Sequence, residues 1–302
     1  MPKWLIYSTI SMLIWAAWSL LSPIASAGLS GGMIQLLSSA GLIPVALLLL
    51  FSKNLRQGAH LSKGLALALA TGVLAGTGNI MLYHALAHGG PVSVVFPLSS
   101  LAPLVPVLAA PVLFQERIRG IQWGGIAVAL LAVVLLNATP STGAAIASAS
   151  LGSTWMMYAL LSLVLYGITY LPQKGATYFI SDELSTVAFA VGFLVLDVAL
   201  LMTDGSLTTN IPVKAGTVSV VIGTLTGFGS LTLFMAYRHG KASIVTPYIQ
   251  LFPVITVLLG VPLFRERIDW WRGIGIALAL GAGVVLSLDK DAPSLASQGG
   301  PR

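Results

Sequence analysis

Apolar residues fill this chain in ten long runs, at about 4–24, 31–51, 64–87, 92–113, 120–137, 153–173, 183–203, 214–237, 242–263 and 271–288. Each is close to the roughly 20 residues a helix needs to cross a bilayer. None alternates polar and apolar residues as a membrane strand would. The pattern therefore predicts ten transmembrane helices rather than a closed barrel, the other way to satisfy backbone groups in lipid. The loops are mostly short. The longest, at 138–152, is rich in Ser, Ala and Thr, carries no charge, and separates five runs from five. The tail at 289–302 is polar with Gly and Pro, a composition that predicts disorder.

The two sets of five runs are copies of each other. Trp4 matches Trp155, Gly41 matches Gly192, and Gly72, Gly76 and Gly78 match Gly223, Gly227 and Gly229, all 151 residues apart. His88-Gly89 matches His239-Gly240 at the same spacing, while Phe114-Gln115-Glu116-Arg117-Ile118 returns as Phe264-Arg265-Glu266-Arg267-Ile268 after 150 residues. One residue of slip in the turn near Pro91 accounts for the change. Five is odd, so the second copy must enter the membrane with opposite polarity. The expected architecture is an all-α integral membrane protein with ten transmembrane helices as two inverted five-helix repeats, 1–137 and 153–288. Inverted repeats are typical of secondary transporters, with the solute bound at the repeat interface.

Composition supports a membrane setting. Of 302 residues 56% are hydrophobic and 8% charged, against about 25% charged in soluble domains. So few charges cannot cover a water-exposed surface. The absence of cysteine excludes disulfides and thiolate metal sites. The net charge of +6 does not point to nucleic acid, because the basic residues sit singly in short loops. With the N-terminus cytoplasmic, eleven Lys and Arg fall inside and four outside, so both termini are expected in the cytoplasm. Lys3, an apolar run and Ala25-Ser26-Ala27 imitate a signal peptide, but cleavage would delete the partner of the Trp155 helix. The twofold pattern argues that the segment stays.

The run Ala85-Leu86-Ala87-His88-Gly89, then Ser93, Pro97, Pro103 and the Phe-x-Glu-Arg-Ile turn, resembles one half of an EamA-type transporter of the drug/metabolite transporter superfamily. Ala236-Tyr237-Arg238-His239-Gly240, Ser243, Pro247, Pro253 and Phe264 to Ile268 repeat it. The resemblance covers nearly the whole chain and implies a ten-helix bundle with both termini cytoplasmic. It implies a central cavity lined mainly by the first, third, fourth, sixth, eighth and ninth spans. It also implies carriage of amino acids, other metabolites or drugs, most often as export. Tyr166 stands in the sixth span where the family usually has Trp.

Several residues are candidates for the solute site. Trp15 lies near mid-span with Trp18 one turn on, and Tyr166, Tyr170 and Gln173 form a similar stripe. Packing is the competing role for both. Trp4, Trp123, Trp155, Trp270 and Trp271 fit an interfacial belt. Asn79 and Tyr83, with their counterparts Ser230 and Phe234, lie beyond small-residue stripes that let helices approach closely. A buried Asn in lipid needs a partner, either another helix or the solute. Pro97 and Pro247 lie in symmetry-related spans, where interrupted helices mark transport sites, with Tyr248 nearby. Asp197 is the one acidic residue placed well inside a span, and Ala46 is its counterpart. Intramembrane carboxylates are functional candidates, proton coupling among them. Glu116-Arg117 and Glu266-Arg267 would pair or cap the next helix, or gate.

No catalytic motif, cofactor loop or metal-ligand spacing stands out. The expected partners are a small-molecule substrate and membrane lipid, in a monomer or homodimer. The pattern favours a secondary transporter that moves a small amphipathic or zwitterionic solute by alternating access, and the resemblance favours export; the alternatives are an importer, a membrane receptor or a structural subunit.

Overall fold

A computed structural model describes residues 1–26, 29–55, 57–90, 92–137, 153–203, 210–264 and 270–288. The linker at 138–152, the tail at 289–302 and the Arg265 to Ile268 turn lie outside the described residues. Within them the fold is helical: α1 (Lys3–Ser26), α2 (Gly31–Leu50), α3 (Leu61–Ala87), α4 (Val92–Ser99), α5 (Leu104–Leu113), α6 (Gly120–Asn137), α7 (Thr154–Ala176), α8 (Asp182–Thr203), α9 (Val213–His239), α10 (Ala242–Ile249), α11 (Phe252–Phe264) and α12 (Trp270–Ser287). Among the described residues, eight apolar segments are long enough to cross a bilayer, α10 continuing into α11 as one of them, and α5 and α6 are shorter apolar helices. An isolated antiparallel bridge joins Gly58 and Ile180.

The fourth and ninth predicted spans are each broken in two. Pro103 precedes the first residue of α5, and Pro253 is the second residue of α11. A proline at a helix start loses nothing, because its missing N–H would have no partner there. Inside a continuous rod the same ring would remove one bond and clash with the preceding turn.

Large apolar side chains point outward along the bundle, including Leu108, Val112, Val195, Val198, Leu201 and Val284. Such a surface suits hydrocarbon. Several hydroxyls within the helices bond the carbonyl four residues back, as Thr71 does to Leu67 and Thr169 to Leu165, which satisfies those donors inside the helix. The tryptophan belt is only partial. Trp123, Trp270 and Trp271 are exposed, but Trp4 is 1% exposed, its ring edge-on to Tyr248. The expectation that Trp4 sits at the lipid interface is corrected: α9 and α10 cover it.

Packing crosses between the halves. α9 lies against α1 and α2, α3 lies against α7 and α8, and α6 pairs with α12. Two glycine pairs permit close backbone approaches between helices of the two halves. A Cβ on Gly223 would sit 1.7 Å from the Ser38 carbonyl oxygen, and one on Gly41 1.8 Å from that of Val220. In the counterpart pair, Gly72 would meet the Phe189 carbonyl at 2.1 Å and Gly192 that of Leu69 at 2.4 Å.

The slip between the copies falls at Gly89, in the turn that leads to Pro91. Gly90 is enclosed by the Ala85 carbonyl, Val95 and Trp155, and Gly240 by the Ala236 carbonyl, Val245 and Trp4. Gly90, not Gly89, therefore has the surroundings of Gly240. Gly89 is the extra residue, with φ of 85°, a conformation glycine adopts without steric cost.

Candidate functional site

Between the helices lies a cavity of about 240 Å³. That is near the lower end of ligand pockets, which run from roughly 300 to 1,000 Å³ for drug-sized molecules. Among the described residues, its lining contains no Asp, Glu, Lys, Arg or His. Aromatic rings, amides and hydroxyls make up its character.

Trp15 and Tyr166 hold related positions in the wall. Trp15 rests on Gly229 of α9, where a Cβ would come 3.3 Å from the ring, and Tyr166 rests on Gly78 of α3, at 3.0 Å. Each aromatic from one half is thus seated on a glycine of the other. Trp18 packs edge-on to Trp15, with ring centres 5.8 Å apart.

Asn79, Tyr83, Tyr170 and Ser230 also line the cavity. Gln250 Nε2 donates to the Tyr170 hydroxyl at 2.6 Å, next to the break between α10 and α11. The buried Ser99 hydroxyl, at the end of α4, has no hydrogen-bond partner among the described residues. It is a donor in the cavity wall at one broken helix, as Gln250 is at the other.

Three candidates lie elsewhere. Phe234 is fully buried in a core with Leu42, Phe189 and Phe193. Pro247 is buried in α10. The Tyr248 hydroxyl lies 3.1 Å from that of Thr9, on the Trp4 side. The side chain of Pro97 lies outside the described residues. The expected lining by six spans also widens: α2 contributes Gln35, Ser38 and Leu42, and α8 contributes Phe189 and Phe193.

Gln35 is the residue the sequence reading missed. It is 2% exposed, and its Oε1 accepts from Asn79 Nδ2 at 3.1 Å. Its Nε2 donates to Asp197 Oδ1 at 3.5 Å, and the Tyr166 hydroxyl donates to Asn79 Oδ1. The signal was present: an amide inside an apolar run, with Thr186 as its counterpart 151 residues on.

Near residues 237–243 charged groups tie helix ends together. Glu116, after α5, accepts from the Ala242 N–H at 2.6 Å and the Ser243 N–H at 3.0 Å, capping α10 rather than the next helix. Lys174, 5% exposed, donates to the carbonyls of Tyr237 and Gly240, the latter at 2.7 Å. Arg238 grips both oxygens of Asp182 at 2.9 and 3.0 Å and bonds the Thr177 carbonyl at 2.8 Å. The Glu116 bonds cross between the halves, and those of Lys174 and Arg238 tie α7, the start of α8 and the end of α9 within the second half.

The EamA-like transporter family model matches this chain twice, over residues 2–138 and 153–288. The chain belongs to the EamA-like transporter family. With its apolar helices, it is a multi-pass membrane protein. It is 27% identical over 259 residues to the uncharacterized inner membrane transporter YedA of Escherichia coli K12, covering 83% of this chain and 79% of that one. It is 25% identical over 194 residues to an uncharacterized transporter of Helicobacter pylori strain J99, and spans 63% of that protein's length. A protein of known crystal structure shares the fold with a TM-score of 0.73 at 17% identity, covering 94% of this chain and 96% of the other.

Proposed function

We propose that this EamA-family protein is a secondary transporter. It carries a small, amphipathic solute without excess charge across the cytoplasmic membrane by alternating access, with export as the direction the family resemblance favours. The observation that carries this reading is the uncharged, aromatic-rich cavity between the halves, together with the charged groups that tie helix ends near Glu116. A wall without ionised groups repays neither the desolvation of a multiply charged solute nor that of a lone anion. A zwitterion fits better: its ammonium can lie on aromatic faces and its carboxylate on hydroxyl and amide donors.

The halves, 1–137 and 153–288, form the inverted repeats in this proposal. The recurring glycine contacts and the crossed packing of α3 and α9 support a twofold relation. Rocking of one repeat on the other would expose the cavity alternately, with the breaks after α4 and α10 as flexible points. The charge asymmetry supports cytoplasmic termini and a cytoplasmic position for the Glu116 cap.

A thermal-shift screen of the purified protein against amino acids and other neutral metabolites tests the reading, because a ligand of the folded state raises its apparent stability. The expected result is a hit lost in Trp15→Ala and Tyr166→Ala and carried into sealed proteoliposomes by the intact protein. A hit that survives both substitutions places the site elsewhere. A ligand that binds but never crosses the vesicle membrane defeats the transport reading.

A further inference from the structure

The hydrogen bonds between Tyr166 and Asp197 all run one way. The tyrosine hydroxyl donates to Asn79 Oδ1, Asn79 Nδ2 donates to Gln35 Oε1, and Gln35 Nε2 donates to Asp197 Oδ1. Three of these residues line the cavity, and Asp197 stands behind them. Asp197 is 5% exposed although Val195 and Val198 beside it are each 57% exposed, so the carboxylate is turned inward against α2. Its Oδ2 is buried with no hydrogen-bond partner among the described residues.

We infer that this chain is a polarity switch, in which protonation of Asp197 reverses the direction of every bond and changes what Tyr166 offers the solute. An ionised carboxylate can only accept. It therefore orients the Gln35 amide with its NH2 towards Asp197, Gln35 orients Asn79, and Asn79 takes the tyrosine proton. The free side of the Tyr166 oxygen then faces the cavity as an acceptor. One proton taken from the aqueous phase turns Asp197 into a donor. The acid donates to Gln35 Oε1, both amides rotate by half a turn, and Asn79 Nδ2 donates to the Tyr166 oxygen. The tyrosine O–H is released towards the cavity. The added proton stays on Asp197, no covalent bond other than its O–H is made or broken, and the signal travels as reorientation.

The surroundings of Asp197 suit such a role. α2 has no ionisable side chain. α3 carries Lys63 near its start and Tyr83 and His84 near its end. α9 carries Lys214 in its first turn and Tyr237, Arg238 and His239 in its last. Gln35, which donates to the carboxylate, is neutral. Among the described residues no cation pairs with this carboxylate, so proton uptake changes the net charge of the site by one.

The physiological use of the switch, coupling solute affinity to protons, rests on the transporter reading; the switch itself does not. The test is infrared difference spectroscopy of the protein in lipid vesicles across a pH step, without solute. The wild type should show a carboxylic C=O band rising as pH falls, together with changes in the side-chain amide and tyrosine bands. Asp197→Asn should lose all three. Tyr166→Phe should keep the carboxylic band and lose the tyrosine change. Gln35→Leu, which cuts the chain in the middle, should do the same as Tyr166→Phe. A carboxylic band that persists in Asp197→Asn, or a tyrosine change that persists in Gln35→Leu, overturns the switch. Switching in protein that transports nothing would leave this inference standing and defeat only the transporter reading.

Discussion

The carboxylate of Glu116 accepts from both the backbone N–H and the hydroxyl of Ser243, at 3.0 and 2.6 Å, from a turn 127 residues away in the chain. A free helix start is electropositive and short of acceptors, so a carboxylate there satisfies N–H groups and opposes the dipole. The contact holds the ends of the two halves together. Hydrogen bonds to charged groups contribute about 1.5–3 kcal/mol each, and about 1.4 kcal/mol is a tenfold change in population.

Glu116→Gln should therefore loosen this end by at least about tenfold. The chain has no cysteine, so a single Thr246→Cys, one turn into α10 in the cavity lining, reports on access. A membrane-impermeant thiol reagent applied from the Glu116 side should label it about tenfold faster in the Glu116→Gln background. Equal rates would show that Glu116 does not hold the end shut.

The glycine pairs should be intolerant of any side chain. A methyl on Gly223 or Gly72 meets a backbone carbonyl at 1.7 or 2.1 Å. Relief requires the helices to part, at more than the roughly 1–3 kcal/mol of ordinary overpacking. Thermal unfolding in detergent should show a loss of many degrees, or no folded protein, for Gly223→Ala and Gly72→Ala. Gly273→Ala, with open space around it, should be neutral or gain up to about 1 kcal/mol from helix propensity. Similar melting temperatures for all three would refute the close approach.

Gentler changes should tune the cavity. Gly229→Ala places a methyl 3.3 Å from the Trp15 ring, and Gly78→Ala one 3.0 Å from Tyr166. Each ring must yield by a few tenths of an ångström into the space a solute would occupy. Titration of the solute found in the thermal-shift screen should show affinity falling several-fold, more for Gly78→Ala, with little change in the melting temperature of the empty protein. Unchanged affinity in both variants would remove Trp15 and Tyr166 from the binding wall.

A reporter fused after Arg302 tests orientation. A fluorescent protein, which matures in the cytoplasm, should be bright, and alkaline phosphatase, which needs the oxidising outside, should be inactive. The reverse pattern would turn the molecule over and place the Glu116 cap outside.

The sequence by itself determined the helical class, the membrane setting and the recurrence of one set of motifs in both halves. These follow from local chemistry: length of apolar run, scarcity of charge and recurrence of Gly, Pro and Trp at fixed spacing. It also pointed to Trp15, Trp18, Asn79, Tyr83, Tyr166, Tyr170 and Ser230, which all line one cavity, because polar and aromatic groups within apolar spans stand out. Only the tertiary structure decided which way side chains at similar depth turn. Phe234 faces a core while Tyr83, its counterpart, faces the cavity, and Trp4 is covered rather than at an interface. It also joined Gln35 to Asp197 across 162 residues and Glu116 to Ser243 across 127. Those pairings depend on helices from opposite halves lying side by side, and no periodicity along the chain encodes which helix becomes whose neighbour.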